Sequence, residues 1–348
     1  MRQALQVLGV FAAILLSAFV LPVCSPKAQS EATYDRARIA FQSQQYGNAA
    51  VLFERAEGED PGKTDALLQA AKAFVHLQKF EAAENDLHKY LEANPRSADA
   101  WYLLGFLLNR ENKPKESLDV YTRAASISPP TGDDLKIVAL NYELLNDNAD
   151  AIYWLERAAE KDPADKEAWY FLGRAYYTAS RLPAARKAFD RVLEIDPRDA
   201  KAENNIGLIY ESGGKTEEAL VAYQNAIAWQ REDGPSREQS YLNLGNLLLT
   251  LEHAEEAVSP LQKAVEIAPG NAQCHLRLGT AYLHLGRMNE AEKELREAVR
   301  LAPEDATAHY QLARYYKQAK KMDAAKKEFE RVAEIQSQTV EKLKTPQK

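Results

Sequence analysis

Small and large apolar residues recur along this chain every 34 residues, and this spacing limits the folds that the chain can adopt. The window from Lys166 to Asp199 shows the pattern most fully. Its first half places Trp169, Leu172, Gly173 and Tyr176 at the i, i+3, i+4, i+7 spacing of a single helical face. Its second half does the same with Ala185, Phe189 and Val192. Arg181, Leu182 and Pro183 separate the halves, and Asp196 with Pro197 ends the second. The window therefore predicts two helices joined by a turn.

The same positions recur in nine windows, which with four extra residues fill 30–339. The eighth position is always Gly or Ala: Ala37, Ala71, Gly105, Ala139, Gly173, Gly207, Gly245, Gly279 and Ala313. The twentieth is always small: Ala49, Ala83, Ser117, Ala151, Ala185, Ala219, Ala257, Ala291 and Ala325. Seven windows carry Pro at position 32: Pro61, Pro95, Pro129, Pro163, Pro197, Pro269 and Pro303. Small residues at both positions predict that the two helices of a window approach closely.

This pattern resembles the tetratricopeptide repeat, W-x2-L-G-x2-Y, then A-x3-F, then P, and residues 166–199 match it at each place. The resemblance implies an all-α fold, a right-handed superhelical solenoid of helix-turn-helix repeats. The predicted repeats are 30–63, 64–97, 98–131, 132–165, 166–199, 200–233, 238–271, 272–305 and 306–339, and residues 340–348 form a basic tail.

Two places depart from the regular spacing. Arg231 stands where Pro is expected, and Pro235 follows four residues later, so we predict that the helix before it runs one turn longer. Ser337 replaces the last Pro, which predicts that the final helix continues through Gln338–Leu343.

Residues 1–30 lie outside the repeat. A basic start at Arg2, a short apolar core and a small-residue site at Ala28, Gln29 and Ser30 predict a secretory signal peptide cleaved after Ser30. An uncleaved membrane anchor and lipidation at Cys24 are alternatives, and they are the routes by which we expect contact with a membrane. We accordingly expect an exported protein, periplasmic or secreted, or anchored by residues 1–24.

Charge and motifs disfavour nucleic acid and catalysis. The formal net charge is −7, whereas binding to phosphate backbones needs a basic face. Gly213, Gly214, Lys215 and Thr216 fail as a phosphate loop because Ile209 stands where its first glycine should be, so we interpret them as a turn. His275 and His309 replace the Trp of the repeat, which indicates packing. We therefore predict no enzyme, cofactor or metal site, and an inert, half-buried thiol at Cys274.

The resemblance implies that first helices line a concave groove which binds a peptide or a helix. The groove positions that we select as a peptide site are Tyr170, Phe171, Arg174, Tyr177, Asn204, Asn205, Asn243, Asn246, Arg277, Gln311 and Arg314. Asn205 and Asn243 hold the same position in successive repeats and suggest an amide ladder that binds peptide backbone, with a merely polar wall as the alternative. A carboxylate clamp known in the family is matched only at Asn243 and Arg277.

In the N-terminal half, the groove positions are more apolar: Tyr102, Phe106, Ile137, Leu140 and the shared Phe171. They suggest a helix or hydrophobic segment as partner. The sequence thus predicts a non-catalytic protein-interaction scaffold or adaptor of the cell envelope. Alternatives are a substrate-recruiting subunit that acts in trans for an enzyme such as a glycosyltransferase, and an array whose ends stack into oligomers.

Overall fold

The computed structural model describes residues 25–230 and 237–344, in which the chain forms eighteen α-helices and no strand. The first seven are α1 (Pro26–Gln42), α2 (Tyr46–Glu59), α3 (Asp65–His76), α4 (Phe80–Ala93), α5 (Ala98–Arg110), α6 (Pro114–Ala125) and α7 (Gly132–Leu144). The next six are α8 (Asn148–Lys161), α9 (Lys166–Thr178), α10 (Leu182–Ile195), α11 (Ala200–Ser212), α12 (Thr216–Ala228) and α13 (Glu238–Thr250). The last five are α14 (Ala254–Ile267), α15 (Ala272–His284), α16 (Met288–Leu301), α17 (Ala306–Gln318) and α18 (Met322–Lys344). The predicted all-α fold of helix pairs is confirmed.

The helices belong to two compact units, which divide between Asp147 and Asn148. In the first unit α1 packs on α2, α3 on α4, and α5 on α6, while α7 packs on both α5 and α6. In the second unit α8 packs on α9, and five pairs follow from α9–α10 to α17–α18. Each pair also contacts the next, so the apolar core of a unit continues from pair to pair.

Glycine at the eighth position allows the close approach within a pair. A Cβ atom added to Gly173 would lie 2.8 Å from Cζ of Phe189, whose side chain is fully buried. Gly105, Gly207, Gly245 and Gly279 face the same obstruction from the large residue of the partner helix. The predicted role of small residues at this position is confirmed.

A single left-handed residue forms the turn inside each repeat. Its φ lies between 56° and 71° at Gln44, Gln78, Asn112, Asn146, Ser180, Gly214, Glu252, Gly286 and Lys320. At each turn the next N–H returns to a carbonyl in the last turn of the preceding helix, as Arg181 N does to Tyr176 O at 2.8 Å. This Schellman closure reverses the chain in three residues. The interpretation of Gly213–Thr216 as a turn is confirmed, because Gly214 is one of these residues.

Side-chain caps start many of the first helices. Asp165 Oδ1 accepts the N–H groups of Glu167 and Ala168 at 2.9 and 3.2 Å. Thr131 and Asp134 form a reciprocal capping box at the start of α7, as expected for an acidic helix start.

Both ends of the described chain bear on the sequence predictions. The last helix, α18, runs through Leu343 as predicted. The predicted signal peptide lies largely in residues 1–24, outside the described residues. Its predicted cleavage point, however, lies inside α1, where Ser30 is fully buried and donates a 2.6 Å hydrogen bond to Ala56 O. In the described residues no helix has the length and apolar character of a membrane span.

Candidate peptide-binding site

A surface pocket of about 350 Å³ lies on the second unit, formed mainly by α9, α11 and the start of α13. We call it the Tyr170 pocket. Its lining residues are Tyr170, Phe171, Arg174, Ala200, Lys201, Asn204, Asn205, Gln230, Arg237, Gln239 and Ser240. Five of the eleven residues selected from the sequence as a peptide site line this pocket, and all five come from α9 and α11.

Two aromatic rings form one wall of the pocket. The rings of Tyr170 and Phe171 meet edge to face, with centroids 6.1 Å apart. Tyr170 also packs edge to face on Phe189, at 5.8 Å, and Phe189 is the buried residue that faces Gly173. The wall is therefore held by the close packing of α9 on α10, and both rings remain half-buried and available for contact.

Amide side chains form the opposite wall, and their hydrogen bonds differ from the predicted ladder. Asn205 Nδ2 donates to Lys201 O at 2.7 Å and to the Tyr170 hydroxyl at 3.3 Å. Asn243, at the same repeat position, is 7% exposed. Its Nδ2 donates to Asn204 Oδ1 at 3.0 Å, and its Oδ1 accepts from Gln239 Nε2 at 2.8 Å. Asn205 therefore lines the pocket, whereas Asn243 does not line it and instead holds the lining residue Asn204 by a hydrogen bond.

Gln230, after α12, and Arg237, before α13, also line the pocket. The prediction of a longer α12 is wrong, because α12 ends at Ala228 after thirteen residues. The amide of Gln230 pairs with both backbone groups of Arg237: Nε2 donates to Arg237 O at 3.1 Å, and Oε1 accepts from Arg237 N at 3.0 Å. This pairing places Arg237 at the rim of the pocket.

Tyr177 lies one turn beyond the pocket on α9. Its hydroxyl is 3.0 Å from Ser212 Oγ at the end of α11, and either oxygen can donate. This contact ties successive first helices together and leaves the Tyr177 ring half-buried.

The remaining four selected residues lie on α13, α15 and α17, outside the pocket. Asn246 Oδ1 and Arg277 Nε are buried atoms without a hydrogen-bond partner among the described residues. Gln311 Oε1 accepts from Arg314 Nη1 at 3.1 Å. The structure thus gathers the selected residues of α9 and α11 into one pocket and leaves those of the later helices separate from it.

The apolar positions selected in the N-terminal half lie in the first unit. Tyr102, Phe106, Ile137 and Leu140 are all half-buried, and the Tyr102 hydroxyl donates to Ser128 O at 2.6 Å. Half-buried side chains offer less free apolar surface than the sequence pattern suggested.

The predicted packing role of two histidines is confirmed. Nε2 of His275 lies 3.0 Å from Pro269 O, and the indole Nε1 of Trp169 makes the equivalent bond to Pro163 O at 3.1 Å. Nδ1 of His275 also lies 2.7 Å from Glu294 Oε2, and this hydrogen bond raises the pKa of His275. His309 repeats both contacts with Pro303 and Glu328.

The one cysteine among the described residues, Cys274, is fully buried rather than half-buried. Burial raises the pKa of its thiol to about 11, which disfavours the reactive thiolate. Among the described residues no group of three or more His, Cys, Asp or Glu side chains is arranged to hold a metal ion.

The chain belongs to the tetratricopeptide repeat family. Family profiles described as tetratricopeptide repeat match residues 40–107, 98–131, 139–200, 198–270, 248–304 and 306–339. The family recognised from residues 166–199 is thereby confirmed over most of the chain.

Individual relatives are distant. Anaphase-promoting complex subunit 3 of Schizosaccharomyces pombe is 23% identical over 228 residues, which cover 66% of this chain and 34% of that protein. This chain therefore matches about a third of the length of that relative. A tetratricopeptide repeat protein from Parabacteroides merdae superposes with a TM-score of 0.58 at 20% identity, covering 72% of this chain and 97% of the other. The Cut9–Hcn1 hetero-tetramer of the APC/C gives a TM-score of 0.57 at 18% identity, covering 80% of this chain and 54% of that one. These likenesses support the fold.

Proposed function

We propose that this protein is a non-catalytic interaction scaffold that binds an extended segment of another protein across α9, α11 and α13. The Tyr170 pocket carries this proposal. It combines an aromatic wall, a row of amides and the cations Arg174, Lys201 and Arg237, and such a surface suits a peptide better than a small reactive substrate.

The hydrogen-bonding capacity of the pocket supports an extended peptide. Asn205 uses its amide hydrogens on Lys201 and Tyr170, and its Oδ1 accepts no hydrogen bond from a described residue. That oxygen is therefore available to a peptide N–H. A peptide backbone supplies the matching donors and acceptors at each residue.

The relatives agree with a scaffold in general terms. The S. pombe protein is by name a subunit of a larger complex, and the Cut9 structure is by title part of a hetero-tetramer. By analogy we propose that this chain works by holding a partner protein.

We further propose that the protein is exported to the cell envelope. The proposal is supported by the sequence of the N-terminal segment, with its basic start and short apolar core. Cell fractionation with an antibody to the native protein, combined with the intact mass of the isolated chain, tests it. Recovery with the cytoplasmic fraction at the full-length mass contradicts it.

Hydrogen exchange tests the binding proposal. Peptides displayed from a random library are selected on the full chain, and the strongest binder is synthesised. We expect it to slow amide exchange in α9, α11 and α13. An Asn205→Ala variant should bind it less tightly, whereas Asn289→Ala, at an exposed position on α16, serves as the control amide. Protection confined to other helices, or failure to select any peptide, contradicts the proposal.

A further inference from the structure

Three cations surround the Tyr170 pocket, and none of them is neutralised by a described residue. Arg174, Lys201 and Arg237 are all exposed, no ion pair links any of them to a described carboxylate, and no Asp or Glu lines the pocket. Cations grouped in a concavity with poorly polarisable walls produce a positive potential that attracts anions.

This arrangement contrasts with other cations of the same repeats. Lys166 lies 2.7 Å from Asp196 and 2.8 Å from Asp199, and Arg186 lies 2.8 Å from Asp190. The chain as a whole has more acidic than basic residues, 51 against 44. Three unpaired cations at one pocket of an acidic protein therefore favour an anionic partner.

A relay of amide side chains, which starts at exposed Gln239 and ends at buried Asn204, adds a directed donor to the same pocket. Gln239 donates to Asn243, and Asn243 donates to the Oδ1 atom of Asn204. Asn204 is 7% exposed and lines the pocket, and its Nδ2 makes no hydrogen bond to a described residue. Because Asn204 Oδ1 already accepts from Asn243, Asn204 Nδ2 is the group available to a ligand in the pocket, and an N–H donor suits an acceptor such as a carboxylate.

We propose that the Tyr170 pocket receives the side-chain carboxylate of an Asp or Glu inside the bound segment, with an adjacent apolar side chain against Tyr170 and Phe171. This inference rests on the proposed function, because it names the chemistry of the peptide bound there. The series of first helices continues past the pocket through α13 and α15 to α17, so a bound segment has further surface to follow beyond the pocket. The carboxylate therefore belongs to a residue within a segment rather than to its C-terminal end.

The test uses two displayed libraries and the full-length chain. In one library the random segment is flanked on both sides by fixed Gly-Ser sequence, and in the other it ends in a free C-terminus. We expect the flanked library to yield peptides with Asp or Glu next to an apolar residue. Replacing that acid by its amide should weaken binding about tenfold or more, and added salt should weaken the binding of the parent peptide.

A matched pair of protein variants locates the contact. The pocket variant combines Arg174→Gln, Lys201→Gln and Arg237→Gln. The control combines Lys115→Gln, Arg198→Gln and Lys327→Gln, which are exposed and change the net charge equally. We expect loss of binding in the pocket variant alone. We also expect that the acid-to-amide peptide binds the wild type and the pocket variant about equally, because the two changes remove the same interaction.

Each other outcome has a distinct meaning. Flanked peptides that bind at α9, α11 and α13 without an acidic residue overturn the inference and leave the proposed function intact. Acidic peptides that bind only with a free C-terminus overturn the side-chain assignment. If neither library yields a binder, both the inference and the proposed function fail. If the pocket variant is unfolded by circular dichroism, the acid-to-amide peptide on the wild-type protein still decides the question.

Discussion

Gly173→Ala tests how the close approach of α9 and α10 supports both the fold and the pocket. The added Cβ would lie 2.8 Å from Cζ of Phe189 and 2.9 Å from Cε1 and Cε2. Relaxed carbon atoms are about 3.5–4.0 Å apart, so the ring must move by roughly 0.7 Å or more. Phe189 is fully buried and packs against Tyr170, so this movement disturbs the pocket wall as well.

The magnitude follows from two opposing terms. Overpacking a core costs about 1–3 kcal/mol, and alanine in place of a helical glycine returns about 0.5–1 kcal/mol. The midpoints of these two ranges give a net loss of roughly 1.2 kcal/mol, which corresponds to amide exchange about eightfold faster in α9 and α10. Gly58→Ala is the control, because Gly58 is also helical and a Cβ there meets nothing within 4 Å. It should slow exchange in α2.

Hydrogen exchange with mass spectrometry on both variants decides the matter. Exchange in α9 and α10 that is unchanged or slower in Gly173→Ala would refute the packing argument. Equal responses to the two substitutions would show that helix propensity, and not the contact with Phe189, governs these positions.

Three further predictions concern other parts of the chain. Burial, with nearby carboxylates, raises the pKa of Asp86 from 3.8 to about 6, so α4 should lose stability as pH rises through this range. Asp86→Asn should remove that dependence, and equal amide exchange in wild-type α4 at about pH 4.5 and about pH 7 contradicts the prediction. The pKa of His275 is raised above 6.5, so its pairing with Glu294 stabilises α15 at lower pH, and this stabilisation is lost as pH rises through the raised pKa. His275→Gln should flatten the pH profile of amide exchange in α15, and an unaltered profile contradicts the prediction. A chain of residues 31–348 should melt lower than one of 25–348, because it lacks the Ser30 hydrogen bond, worth about 1 kcal/mol, and the first turn of α1; equal melting temperatures contradict this.

The repeat made much of the fold predictable. Gly173 and Phe189 mark the close contact between the two helices of a repeat, and Pro197 marks the end of the second helix because proline has no backbone N–H. The helices and turns of a regular repeat could therefore be placed from the sequence. The left-handed turn residue could not be placed from composition alone, because Gln, Asn, Ser, Glu and Lys occupy most of these turns. There the fold imposes a conformation that the residue disfavours.

The candidate site was predicted only in part. The repeat register indicated which side chains of α9 and α11 share a surface, and Tyr170 and Asn205 both line the pocket. The bond from Asn243 to Asn204 joins residues of two repeats separated by the insertion, and the position of Arg237 depends on its pairing with Gln230. The 34-residue spacing predicts neither contact, because each depends on the tertiary arrangement of the side chains.

The most direct test of the central claim is photo-cross-linking of a selected peptide to the pocket. The photoreactive residue p-benzoylphenylalanine replaces Phe171, which preserves an aromatic ring in the wall, and replaces exposed Tyr153 on α8 as the control. We expect a cross-link to the selected peptide from position 171 that unlabelled peptide suppresses, and none from position 153. Efficient cross-linking from 153 together with none from 171 would contradict the assignment of the peptide site to α9, α11 and α13.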